Sequence, residues 1–214
     1  SSWKFSAALT EREYPMSTTE LPLFPLSAVL LPYGKMPLQI FEQRYLDLVR
    51  DCMKNGTDFG VVWIRRGEEV AVKGSRQQLG DLGTLARIVD FDQLPNGLLG
   101  VTIEGRERFH LSDTRVASNG LVLGNVVFES MPEQAEFDDA WLSLREILEN
   151  LKQHPHVRRM GLEIDFDDAW QVGYTLAQLL PLEESLKYSL LNAGDVEELM
   201  DQLDLILSDI SGEG

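Results

Sequence analysis

Cysteine is nearly missing. Cys52 stands alone among 214 residues, so no disulfide can form within the chain and no thiolate zinc site can be assembled. Such usage suits a reducing compartment, and a cytoplasmic location is expected. Long apolar runs are missing too: none approaches the roughly 18 residues that a membrane-spanning helix needs, so no membrane partner is expected. The stretch from Ser1 to Pro15 has neither the basic start nor the apolar core of a secretory signal, and Met16 stands where a native start codon could lie. Residues 1–18 therefore read as a leader or extension, appended or native.

Basic residues are scarce, and unevenly so. Residues 1–128 hold 14 Lys+Arg against 15 Asp+Glu, whereas residues 129–214 hold 5 against 20, so nearly all of the formal charge of -16 belongs to the second segment. A surface of that sign repels a phosphate backbone, and no nucleic-acid partner is expected. A protein with a basic face would suit it instead. The remaining composition is that of a globular domain: 43% hydrophobic and 25% charged residues are enough apolar material for a core.

From Leu21 to Glu129 short apolar runs are broken by Gly, Pro and Asn, which predicts strands and turns. Phe59–Ile64 reads as a buried strand. Gly83–Phe91 and Leu98–Ile103 flank Pro95-Asn96-Gly97, whose Asn-Gly supplies the positive φ that a tight hairpin requires. Arg106–Leu111 and Leu121–Phe128 follow, giving closely spaced strands of a closed or nearly closed β-structure. One helix interrupts them, with Phe41, Tyr45, Leu48, Val49 and Cys52 at helical spacing and Gly56 as its C-terminal cap. It is expected to cover one end of the β-structure.

After Met131-Pro132 the period changes. Trp141, Leu144, Leu148 and Leu151 form a helical stripe that stops before Pro155. A second helix is expected from a cap at Asp167 to Leu180, a third from Glu183 to Leu191, and a last one behind an Asp195/Glu198 capping box with Leu199, Leu203, Ile206 and Ile210 as its apolar face. The expected organisation is a β-subdomain over 19–132, an acidic helical bundle over 133–211 and a short tail at 212–214.

Three sequence signatures occur in a telling order. Leu21-Pro-Leu-Phe-Pro-Leu26, Val29-Leu-Leu-Pro-Tyr-Gly34 and Met36-Pro-Leu-Gln-Ile-Phe-Glu-Gln-Arg-Tyr45 resemble the opening signature of the Lon amino-terminal, substrate-binding family. Leu82-Gly-Thr-Leu-Ala-Arg-Ile88 resembles its Gly-Thr strand, and Gly105-Arg-Glu-Arg-Phe109 its Gly-x-x-Arg-Phe motif. The resemblance implies an α+β fold, a PUA-like β-barrel followed by a C-terminal helical bundle. It also implies a module that helps recognise unfolded or tagged polypeptides ahead of an ATPase and a peptidase.

Most signature residues read as structural. Pro25, Pro32 and Pro37 fix φ and remove donors, as suits a kinked edge segment. Gly34, Gly83 and Gly105 belong to the same motifs. Phe24, Ile40, Phe41, Tyr45 and Phe109 read as core. Glu42, Arg44 and Arg108 read as ion-pairing groups rather than catalysts. Tyr33 and Trp63 are the speculative peptide contacts, in a groove expected between barrel and bundle.

No catalytic, metal or cofactor residues are expected. A P-loop needs G-x-x-x-x-G-K-[ST], and the nearest approach, Gly34-Lys35, has Val29 and Met36 at the first and last of those places. The family's Ser-Lys peptidase sequence is absent, and Ser185 and Lys187, two apart on a helix, do not face each other. His154 and His156 lack a third ligand, and Asp165 to Asp168 lack the glycine and final glutamate of an EF-hand, with Trp170 and Leu176 in their places. His110 reads as a satisfied barrel residue, and Cys52 as a small hydrophobe on its helix's apolar face. The expected function is non-enzymatic recognition of polypeptide with exposed apolar segments. The alternatives are an adaptor acting through the acidic helices and a small-molecule enzyme using the barrel pocket.

Overall fold

The computed structural model describes residues 18–66 and 78–212. The extension expected over 1–18 lies, Thr18 apart, outside the described residues, as does most of the tail. Six strands come first: β1 (Thr19–Leu26), β2 (Lys35–Ile40), β3 (Phe59–Arg66), β4 (Gln78–Gln93), β5 (Leu99–Val116) and β6 (Val122–Phe128), with α1 (Gln43–Asn55) between β2 and β3. Helices follow: α2 (Leu142–Lys152), α3 (Pro155–Arg158), α4 (Ala169–Leu179), α5 (Glu184–Leu191) and α6 (Val196–Gly212). The fold is therefore α+β. No described helix is long and apolar enough to cross a membrane.

The sheet is mixed. β1 and β3 are parallel, a pairing that needs a crossover, and β2 with α1 supplies it. The ladders β3–β4, β4–β5, β5–β6 and β6–β1 are antiparallel, so five strands are joined in a ring of pairings. β2 stands outside that ring and, among the described residues, pairs only with residues 99–104 of β5. With residues 88–93 of β4 it makes a three-stranded wing.

β5 runs unbroken where two strands were expected, separated at Gly105. The glycine marks a close approach, not a turn: a Cβ there would lie 2.0 Å from the Leu31 carbonyl oxygen. The Pro95-Asn96-Gly97 turn is present, with Gly97 at φ 81° and Leu94 N–H donating to Leu98 O at 2.8 Å.

α1 buries Tyr45, Leu48, Val49 and Cys52 and ends at Gly56 in the left-handed region, as the spacing predicts. Phe41, expected on that face, precedes the helix and is 60% exposed. The helix cap is Glu42, so Phe41 lies in the link between β2 and α1 and does not begin the helix. Phe24 takes the core position instead, stacked on Tyr45 with centroids 3.9 Å apart.

In the helical part Trp141, Leu144 and Leu148 are buried, Trp141 in a 3-10 turn over Asp139–Trp141. Pro155 does more than stop α2: it occupies the first turn of the short α3, where its missing N–H costs nothing. The cap of α4 is Asp168, not Asp167. Its buried carboxylate accepts from Trp170 N at 3.1 Å and Ala135 N at 3.2 Å, so it also ties down the incoming chain. On α6, Leu199, Met200 and Leu203 are buried, whereas Ile210, expected on the same face, is exposed because the helix runs past its support.

One apolar cluster crosses from sheet to helices. It combines Val29, Leu31 and Leu82 with Leu144, Leu148, Val172, Leu176, Leu190 and Leu199. A second fills the space between α1 and the sheet around Phe24, Ile40, Tyr45, Phe59 and Ile103.

Candidate functional site

Two surfaces compete for the role of binding site, and both depend on the stretch from Val29 to Phe41. The first is the joint between sheet and helices. Val29 N–H donates to Glu184 Oε2 and Leu31 N–H to Gln178 Oε1, each at 2.8 Å, while Gln178 Nε2 returns a bond to Val29 O at 3.2 Å. A Cβ at Gly34 would stand 2.3 Å from Gln178 Oε1, so a side chain there would displace the amide that bonds Leu31. Pro32 ends the strapped segment and lines a cavity beside it. Lys187, whose ammonium donates to Gln178 O at 2.8 Å, has its pKa lowered by burial.

Arg108 latches the other side. Its Nε and NH2 donate to Glu129 Oε2 at 2.9 and 2.5 Å, and its NH1 to the carbonyls of Leu191 and Ala193 at 2.6 and 3.1 Å. The fork of one guanidinium therefore holds β5 to the α5–α6 connection. Burial is the largest single influence on Glu129 and raises its pKa, yet the hydrogen bonds and charges of His110 and Arg108 together outweigh it and leave the carboxyl below its usual value. His110, on β5, is exposed, and its ring is satisfied by Glu129 Oε1 at 2.5 Å.

Tyr33 and Trp63 both belong to this joint. Tyr33 adopts φ 65°, packs half-buried against the helical cluster, and has its pKa raised by burial and then by Asp168. Trp63 packs on Tyr188 with centroids 5.1 Å apart. A cavity of about 150 Å³ lies in the joint beside Pro32, Arg108, Glu129, Trp170 and Tyr174. Burial pushes the Tyr174 phenol up to about 12. Of the groups facing that cavity, Arg108 and Glu129 are bonded to each other and the Tyr174 phenol is held neutral.

Other signature residues are also packed. Gly83 faces Phe109 across the β4–β5 ladder, and a Cβ there would lie 2.3 Å from the ring. Pro25 pairs with Val62 in the parallel ladder. Arg44 bonds Glu42 at 2.8 Å and the Gly120 carbonyl at 2.9 Å. Burial raises the Cys52 thiol, which suits a hydrophobe and not a nucleophile.

The wing is the second surface, packed on one face around Ile40, Val101 and Ile103 and open on the other. Gly105 N–H donates to Gly34 O at 2.8 Å, so by strand alternation Met36, Leu38 and Ile40 bond to β5. Lys35, Pro37 and Gln39 turn their backbone to the free edge. Pro37 has no N–H to leave unpaired there. Phe41 shares their parity, which explains its exposure. Across the wing, Phe91 is 59% exposed, with Val89 and Met53 also open.

Three grooves adjoin β2. One of about 350 Å³ is lined by Phe24, Leu26, Met36, Leu38, Phe41 and Tyr45. Another of about 360 Å³ is lined by Pro37, Gln39, Phe91, Leu94 and Thr102. A third of about 570 Å³ lies between the wing and α3, reached by Lys35, Met36, Val89, His156, Arg159 and Met160. They share Pro37, so together they form one trough along β2, uncharged from Met36 to Ile40, with Lys35 at one end and Glu42, Asp90 and Asp92 also in its lining. Sequence reasoning missed this surface, although the signal existed: reading 36–41 as a strand puts Phe41 outward with Pro37 and Gln39. Among the described residues no group of His, Cys, Asp and Glu is arranged to hold a metal ion.

The family model for the ATP-dependent protease La (LON) substrate-binding domain matches residues 20–209. The Lon protease of Brevibacillus choshinensis is 23% identical over 197 residues, which span 88% of this chain and 25% of that protein. That of Porphyromonas gingivalis is 32% identical over 95 residues, 44% of this chain and 11% of that protein. The chain therefore spans about a quarter, or less, of the curated proteins it matches. Among solved structures, a Lon N-terminal domain protein from Xanthomonas campestris is 38% identical with a TM-score of 0.66, the match covering 89% of this chain and 98% of that one. The N-terminal domain of Mycobacterium avium complex Lon protease, 17% identical with a TM-score of 0.57 over 87% of this chain and 97% of that one, shares the fold.

Proposed function

The chain belongs to the Lon substrate-binding domain family, and from that membership we propose that it recognises polypeptide through exposed apolar segments, which it grips along the wing and does not transform. The matched family is a substrate-recognition module, distinct from the peptidase. The observation that carries the reading is the trough along β2, apolar, uncharged from Met36 to Phe41, and rimmed by Phe41 and Phe91. Exposed aromatics beside apolar grooves are what binding surfaces offer and what packed surfaces hide. The ring of five strands, which we read as a PUA-like barrel, supplies the rigid frame. Tyr33 and Trp63 act in this reading by holding the joint.

The test is fluorescence anisotropy with an extended apolar peptide. Replacing both rim aromatics, Phe41→Ser with Phe91→Ser, should weaken binding roughly tenfold or more. Unchanged affinity in the double variant would remove the wing as the site.

An adaptor role rests on a different observation: α6 exposes Leu205 and Ile210 among acidic residues. Its mark is salt dependence. A partner held by α6 dissociates steeply as ionic strength rises, while apolar binding at the wing persists.

A further inference from the structure

The arginines of this acidic chain largely stand beside carboxylates: Arg44 on Glu42, Arg87 on Asp58, Arg108 on Glu129, Arg115 on Glu20. Among the described residues Arg65 and Arg106 depart from that pattern singly, and one segment departs from it as a whole. Residues 150–162 contain no Asp or Glu, yet hold Lys152, Arg158 and Arg159, three of the 5 Lys+Arg in residues 129–214, with His154 and His156 between them. The fold turns this segment toward the wing. Lys35 reaches across from β2, its ammonium 3.3 and 3.4 Å from the carbonyls of Met160 and Gly161, and Arg159 Nε donates to Pro155 O. Those partners are neutral. Among the described residues neither Lys35 nor Arg159 is in an ion pair.

Between them lies the largest of the grooves, about 570 Å³, whose apolar walls are Met36, Pro37, Val89 and Met160. Asp90 also lines it, with its Oδ1 accepting from the Phe91 N–H. We infer that this groove takes an acidic side chain, flanked by apolar residues, of a polypeptide segment lying along β2. The inference rests on the reading of the wing as a polypeptide site. Charge complementarity names the occupant: unpaired cations above apolar walls fit a carboxylate beside hydrophobic neighbours. A chain of formal charge -16 repels a nucleic-acid backbone, whose phosphates bring no apolar neighbours. The groove also continues through Met36 and Pro37 into the trough, so the bound segment passes through it and presents side chains there rather than a terminus.

Three peptides with one alternating apolar core test this against the full chain by fluorescence anisotropy at low salt. Two are acetylated and amidated, with Glu or Gln at one position, and the third is the Gln peptide with a free terminal carboxylate. The Glu peptide should bind about fivefold tighter than the Gln peptide, the scale of a partly exposed ion pair. Lys35→Gln with Arg159→Gln should close that gap, and Arg159→Gln alone, at an exposed side chain, should narrow it even if the double variant folds poorly. The inference is overturned if Glu and Gln peptides bind alike, if the gap survives in the double variant, or if the free terminus gains as much as Glu. Displacement of the Glu peptide by a short single-stranded oligonucleotide would also overturn it. Equal binding of the first two peptides leaves the wing reading standing, whereas no binding by any peptide defeats both.

Discussion

The joint and the wing are built from adjoining residues, Val29 to Gly34 and Lys35 to Phe41, and they use them in opposite ways. In the joint polar groups find partners across long sequence distances, as Leu31 does with Gln178 and Arg108 does with Leu191. In the wing a strand edge and two phenylalanines face outward without such partners, and Lys35 bonds the neutral carbonyls of Met160 and Gly161 rather than a carboxylate. The difference teaches where each region's selection pressure lies in physical terms: unmet groups in the joint would cost stability, whereas unmet groups in the wing are what a bound chain can satisfy.

The comparison predicts that joint variants change stability and wing variants change binding. Gly105→Ala should have the largest effect, because its Cβ would meet the backbone of Leu31 and neither strand nor loop can yield alone. We expect a loss of about 3 kcal/mol or more, read as a fall in Tm or as failure to fold. A Gly105→Ala protein melting within a degree or two of the parent would break the picture of a tight joint. Gly56→Ala offers the contrast. Its φ of 63° is strained for alanine but nothing lies within 4 Å, so about 1 kcal/mol is expected.

Arg108→Ala should rank next, at about 2 kcal/mol in denaturant titration, since it leaves Glu129 with His110 alone and strands two carbonyls. The same latch sets an acid limit. Glu129 has its folded pKa below the ordinary 4.5, so its contribution is fully present above that pH and is lost as pH falls through the lower folded value. Stability measured from pH 5 downward should fall less steeply in Glu129→Gln than in the parent. An equal slope would show that Arg108 and His110 do not favour the ionised form.

Phe41→Ser should come last in stability, within about 0.5 kcal/mol, because the ring is already exposed. If its Tm fell by several degrees, Phe41 would be a packing residue and the contrast between the regions would blur.

Much of the fold could be read along the chain. The stripe Tyr45, Leu48, Val49, Cys52 predicts α1, and Asn96-Gly97 predicts its hairpin, because period and turn chemistry are local properties. The candidate site was less legible. Phe41 fits a helical stripe and a strand equally well by spacing, and only the position of the α1 cap at Glu42 separates the two. Asp167 and Asp168 are equally good caps by composition, and the bond from Ala135 N chooses between them. Gly105 resembles a strand break until Leu31 is seen beside it.

By itself the sequence determined where strands give way to helices, which segment carries the acid excess, and which catalytic motifs its residues do not spell. Each of these depends on neighbours within a few positions. The tertiary structure alone decided that Gln178 and Glu184 strap the Val29–Leu31 segment, that β2 keeps a free edge, and that Lys35 meets Arg159 across a groove. The first and last of those facts join residues more than a hundred positions apart, and packing, unlike period, leaves no local trace of which distant groups it will bring together.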